Sequence, residues 1–282
     1  MSENQNVSEN IVPSSITQIG VITKYTFLDY FRSRRFFVLL VITVLIGALL
    51  SFLVYYRPET FTTSSLAFYS NWWGNSINFV IILTGIFFGG DAISGEFQNK
   101  TGYFGIPNPI KRSSIYLGKW IAAFIAATLM FGIFTAITVG NGYAHGLGVP
   151  YQFGESFLFS WFYLAAVMGL TFFFSSLFKT SSISILVTVI LFLFVFNLIA
   201  GFIMPLVQIE PWFIITYGAG IIGNVLMVHY PPHEIVVPLG ANSGLTLSTF
   251  NAYIPEGLII IAVYFVLTTI LGLLFFERKE FT

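Results

Sequence analysis

The chain has 282 residues, of which 56% are hydrophobic and only 9% charged, with 33 Phe, no Cys and a formal net charge of zero. Soluble globular domains carry about 25% charged residues, so this composition excludes a soluble fold. The lack of Cys excludes disulfides and thiolate metal sites, and no basic stripe interleaved with aromatics is present to bind nucleic acid.

Residues 1–12 are polar, acidic and without periodicity, and are expected to form a disordered tail with no cleavable leader. Residues 13–35 predict an N-terminal interfacial helix. Pro13-Ser14-Ser15 supplies a start with Ser as N-cap, and the helix runs from Ile16 to Arg35. Ile16, Ile19, Phe27 and Phe31 roughly share one side, a weak amphipathic pattern, and Arg32, Arg34 and Arg35 make its end strongly basic.

Residues 36–282 predict a transmembrane domain. Apolar tracts of about 20 residues cover about 30 Å as helices, the thickness of bilayer hydrocarbon. Six such spans are expected at about 36–56, 69–90, 117–139, 157–178, 183–204 and 257–276. The expected fold is thus an all-α polytopic membrane protein. With six spans, Lys24, Arg32, Arg34, Arg35, Lys100, Lys111, Arg112, Lys119, Lys179, Arg278 and Lys279 share one side, and only Arg57 falls on the other. The positive-inside rule makes the crowded side cytoplasmic, with both termini on it. Residues 212–228 form another apolar tract, but as a seventh span they would place Arg278 and Lys279 outside. This short, glycine-rich tract, punctuated by nearby prolines, is expected to be a re-entrant or interfacial segment on the outer side.

The spans carry almost no ionisable residue, which argues against a proton- or sodium-coupled carrier and against an intramembrane enzyme. Asn197, deep in the fifth span, faces either a substrate path or a neighbouring helix. Gly85-Ile86-Phe87-Phe88-Gly89 is a G-x-x-x-G that permits close helix approach, at a dimer interface or within the chain. His229, His233 and Glu234 lie outside, near Pro231-Pro232, which disfavours a regular helix, so no metal site is expected.

The loop after the second span reads Gly89-Gly90-Asp91-Ala92-Ile93-Ser94-Gly95-Glu96-Phe97-Gln98-Asn99-Lys100-Thr101-Gly102. It continues through Pro107, Pro109, Ile110, Lys111 and Arg112 to Gly118-Lys119, and is the longest cytoplasmic connection. A polar helix end with Asp91, Glu96 and Lys100 suits charge-assisted hydrogen bonds, and Pro107 and Pro109 would end it.

In this loop the chain resembles the type 2 ABC transporter permeases. Their second span typically ends in D-x-x-x-x-E, followed by a Gly/Thr step, a P-[IV]-x-R turn and a Gly-Lys opening the third span. Asp91, Glu96, Pro109, Ile110, Arg112, Gly118 and Lys119 match, while Lys100-Thr101-Gly102 departs at the Gly/Thr step. A basic N-terminal helix, six spans and a long outer segment between spans five and six fit the same plan.

The resemblance implies a permease subunit whose loop supplies a cytoplasmic coupling helix, with Asp91, Ser94, Glu96, Lys100, Thr101, Pro109, Arg112 and Lys119 engaging the partner. It implies two ATP-binding subunits, a second permease subunit, most simply as a homodimer, and a plasma-membrane setting with export as the commoner direction. The chain has no G-x-x-x-x-G-K-[ST] loop, because Gly118-Lys119 is followed by Trp120. ATP and magnesium are therefore expected on the partner, with no cofactor here. A non-transport scaffold or sensor subunit is the alternative from another class.

Overall fold

Ser14 opens the first helix, its hydroxyl accepting from Thr17 N at 3.3 Å. The computed structural model describes residues 14–99, 110–238 and 246–279. The tail 1–12, and Lys100, Thr101, Gly102, Pro107 and Pro109 of the loop, lie outside them.

Helix α1 (Ser15–Arg32) does not run on to Arg35. Ser33 is extended (φ −76°, ψ 146°), and its hydroxyl accepts from Phe36 N at 3.3 Å to cap α2 (Arg34–Tyr56). A serine able to end one helix and start the next breaks the expected continuity.

Helix α3 covers residues 65–89, with a π-helical turn at Ser70–Gly74, and a tight turn at 90–93 leads to the short α4 (Ser94–Gln98). Then follow α5 (Arg112–Ala144), α6 (Tyr151–Leu177), α7 (Ser181–Val207) and α8 (Ile254–Arg278). With α2 and α3, these make six helices among the described residues that are long and apolar enough to cross a membrane, one for each expected span. The chain is an all-α polytopic membrane protein.

Helix α6 is the centre of the bundle, flanked by α3, α5 and α8. Close approach of α3 to α6 requires the G-x-x-x-G: a Cβ on Gly85 would lie 2.5 Å from Val167 Cγ1, and one on Gly89 would collide with Thr171. The motif therefore packs within the chain. Helix α1 lies along the start of α5, where Thr23 Oγ1 donates to Gly118 O at 3.1 Å.

Helix α7 is interrupted by π-helical turns at Leu191–Val195 and Ile199–Ile203. Asn197 sits between them, and its amide donates to Phe192 O at 3.0 Å and Leu193 O at 3.1 Å. It serves carbonyls of its own helix that the irregular turns leave available.

The tract 212–228 forms two single helical turns, Ile215–Gly218 and Ile221–Asn224, rather than a seventh crossing helix. It wedges between the ends of α3, α6 and α8: Gly223 abuts Gly74, Gly218 abuts Gly257, and Ser156 Oγ donates to Ile222 O at 2.6 Å. After it comes an antiparallel hairpin absent from the sequence expectation, β1 (Glu234–Pro238) with β2 (Thr246–Phe250), in register Glu234 to Phe250 and Pro238 to Thr246.

Candidate coupling site at the basic end of the bundle

The starts of α2, α5 and α7 and the ends of α3, α6 and α8 meet at one end, which collects the described Lys and Arg residues except Arg57. Arg57 pairs with Glu59 at the opposite end.

Helix α4 forms at this basic end because the chain turns sharply after α3. Gly90 N donates to Ile86 O at 3.0 Å, Ala92 N to Gly89 O at 3.3 Å and Gly95 N to Asp91 O at 2.9 Å. The turn folds α4 back beneath α6 and α7. Ser175 Oγ of α6 accepts from both Ile93 N (2.9 Å) and Ser94 N (3.0 Å), and lies 3.3 Å from Ser94 Oγ. These groups are buried, so satisfying two main-chain donors with one hydroxyl removes a penalty of about 1–3 kcal/mol for each donor otherwise left unpaired.

Every remaining crossing helix is tied to this segment. Asp91 forms an ion pair with Arg35 of α2. Glu96 forms one with Lys119 of α5, whose ammonium also donates to Ala92 O at 3.0 Å. Gln98 Oε1 accepts from Ser181 N, the first residue of α7, at 2.8 Å. Phe97 packs edge-on against Phe276 of α8 at 6.1 Å, and the Lys279 ammonium lies 4.3 Å over its ring. Helix α1 joins through Tyr30, whose hydroxyl donates to Phe88 O at 2.9 Å.

Arg112 is turned toward α8 and donates to Glu277 O (2.9 Å) and Lys279 O (2.7 Å). Cations at a helix C-terminus satisfy its last carbonyls and its dipole. Lys279 donates in turn to Ser176 O (2.9 Å) and Phe178 O (2.7 Å) at the end of α6. Burial, and then the neighbouring Lys179, pull the Lys279 ammonium down to about 8. Burial, reinforced by Asp91, pushes the Tyr30 hydroxyl up.

Of the residues singled out in the sequence, Asp91, Ser94, Glu96, Arg112 and Lys119 thus gather at one end, each engaged with another part of the chain. Lys100, Thr101 and Pro109 fall outside the described residues. Gly85 and Gly89 lie at the α3–α6 contact and Asn197 in α7, away from this cluster. Arg35, Ser175, Gln98, Ser181 and Lys279 belong to it but were assigned no contact there, since their partners are distant in sequence. Arg35 and Lys279 carried a partial signal, as cations flanking apolar helices. The arrangement is a five-residue helix and its preceding turn, tied to the ends of α2, α5, α6, α7 and α8.

The sequence profile of a family described as ABC-2 family transporter protein matches residues 21–281. The comparison with curated proteins returned no match.

Proposed function

The chain belongs to the ABC-2 family of transporter proteins, and on that premise we propose that it is the permease of an exporter driven through the 91–112 loop by separate ATP-binding subunits. It is accordingly a multi-pass membrane permease subunit of an ABC transporter. In the proposed assembly two copies pair and two ATP-binding subunits dock at the basic end, which faces the cytoplasm of a cell whose plasma membrane holds the complex. ATP and magnesium are bound and hydrolysed on those subunits.

The observation that carries this reading is the set of ties from α4 and its preceding turn to α2, α5, α6, α7 and α8. A push on a short helix is dissipated if its neighbours are solvent. Here it is delivered to α2 and α5 through ion pairs, to α6 and α7 through hydrogen bonds and to α8 through ring contacts, and the polar ties hold their geometry better than apolar contact alone. Closure of the ATP-binding subunits against α4 would then tilt the helices together and open a path between the two permease halves. Within this scheme Asp91, Glu96, Arg112 and Lys119 transmit force, while exposed Asn99 and the loop beyond it make the intermolecular contact.

Ion pairs that only lock helix ends would serve a non-transport scaffold as well, and the two readings differ in one measurable respect. The tagged protein is purified in mild detergent, its companions are identified by mass spectrometry, and the ATP hydrolysis rate of any companion is measured with and without it. A permease brings down an ATP-binding subunit in stoichiometric amount and changes its rate. A scaffold leaves the rate of every companion unchanged.

A further inference from the structure

At the end of the bundle opposite the basic one, three side chains from separate segments converge. Glu210 follows α7, His233 precedes β1 and Glu256 lies in the first turn of α8. One ligand-type atom of each falls within 4.8 Å of the other two. We propose that Glu210, His233 and Glu256 form a binding site for a divalent first-row transition cation such as Zn²⁺ or Mn²⁺.

The imidazole is set up as a ligand from outside the cluster. His233 Nδ1 lies 2.9 Å from Asn251 O, a carbonyl that can only accept, so Nδ1 carries the proton and Nε2 keeps its lone pair. Ligating histidines are characteristically oriented by such a bond from the other ring nitrogen. The ring is further held by stacking on Tyr253, 4.6 Å between centroids and 5° between planes. Asn251 is fixed in turn, its N donating to His233 O at 2.7 Å and its amide to Pro232 O at 3.0 Å.

Nε2 points at Glu210 Oε2, 3.5 Å away. Two ligands each about 2.1 Å from a tetrahedral ion are about 3.4 Å apart, so this pair already has the spacing of one coordination sphere. A separation at the 4.8 Å limit of the triad closes to that spacing with about 1.4 Å of relative movement, shared between two side chains.

The carboxylates are also positioned by groups other than the proposed cation. Tyr217 Oη donates to Glu210 Oε1 at 2.6 Å. Tyr253 N donates to Glu256 Oε2 at 3.1 Å. Glu210 Oε2 is thereby left to face His233, and the Glu210 and Glu256 carboxyl groups lie within hydrogen-bond reach of each other. Among the described residues no Lys or Arg forms an ion pair with either glutamate. Two half-buried carboxylates brought together repel each other unless a positive charge sits among them, whether a bound cation, a proton shared between them or a proton on His233.

The donor set decides the class of ion. One imidazole nitrogen with two carboxylate oxygens suits zinc, manganese and their neighbours, whereas calcium and magnesium prefer all-oxygen shells of higher number. Three protein ligands leave coordination positions open to water. Bound metal would clamp the end of α7, the base of the hairpin and the start of α8 into one unit.

The test uses the full-length protein in detergent, carrying a tag without histidine, stripped with EDTA and returned to chelator-free buffer. Titration with ZnCl₂ by calorimetry is expected to give one saturating site per chain. The Glu210→Gln, Glu256→Gln double variant should weaken it by about tenfold or more, since losing even an outer partner of a ligand costs 10–100-fold. His229→Ala, outside the triad, should leave it unchanged. Zinc-edge X-ray absorption on the wild-type protein, which does not depend on any variant folding, should show one imidazole among oxygen ligands. No saturable binding, binding undiminished in the folded double variant, or an all-oxygen shell would overturn the proposal and leave a shared proton as the charge between the carboxylates.

Discussion

Replacing Lys119 by Met tests whether α4 is held to the bundle by charge. The Lys119 and Glu96 side chains retain only 16% and 24% of their exposure, so the pair is largely withdrawn from water. An exposed pair would contribute about 0–1 kcal/mol, and breaking a fully buried one costs about 3–5 kcal/mol. A partly buried pair with one further hydrogen bond, to Ala92 O, lies between, at about 2 kcal/mol for Lys119→Met. Part of that loss belongs to Ala92 O rather than to Glu96, so a double-mutant cycle with Glu96→Gln is needed to isolate the pair. The expected coupling is about 1–2 kcal/mol, read from unfolding of the detergent-solubilised protein. In the assembled transporter each single variant should also lower the amount transported per ATP hydrolysed, because α4 then moves without α5. Additivity of the two substitutions within about 0.5 kcal/mol, together with unchanged transport per ATP, would refute the reasoning.

Other contacts make separate demands. Gly85→Ala places a Cβ 2.5 Å from Val167 Cγ1 and should destabilise the protein by about 1–3 kcal/mol. Adding Val167→Ala should recover much of that loss in the same unfolding assay. Asn197→Leu should cost about 1 kcal/mol through the carbonyls of Phe192 and Leu193 that it now serves, with no loss of the α3–α6 contact when that contact is probed by disulfide trapping. Lys279 should react with an amine-acylating reagent along a profile centred near pH 8, where an ordinary lysine is only about 0.4% free amine. Its folded value of about 8 lies below its ordinary 10.5. Between the two the unfolded chain holds a proton that the folded chain has released, so this residue makes stability rise as pH climbs from about 8 toward 10.5.

The crossing helices were legible because hydropathy is a property of contiguous residues, and the even number of crossings followed from the placement of Lys and Arg. Contacts were not legible in the same way. Asp91 and Arg35 lie 56 positions apart and Glu96 and Lys119 lie 23 apart, so only the packed bundle brings them together. Asp91, Glu96, Arg112 and Lys119, taken in sequence as contacts for a partner, also make contacts within the chain that spacing alone does not show. The break at Ser33 was hidden by a run of residues compatible with helix on both sides. The hairpin did leave a signal, in the β-branched Ile235-Val236-Val237 and in Thr246 to Phe250, but the surrounding prolines were read as punctuation alone. His233 was considered with its sequence neighbours His229 and Glu234, whereas its partners in space, Glu210 and Glu256, come from the ends of two crossing helices.

The central claim, that force enters through α4, is tested most directly with a single thiol. The chain has no Cys, so Asn99→Cys places a unique attachment point on the exposed end of α4, and Tyr151→Cys places one at the opposite end of the bundle. Each is labelled with a short photo-cross-linker in native membranes, and the captured protein is identified by mass spectrometry. Coupling through α4 predicts that Asn99→Cys captures a protein with a G-x-x-x-x-G-K-[ST] phosphate loop and that Tyr151→Cys does not. Capture of no such protein at Asn99, or equal capture at both positions, would contradict it.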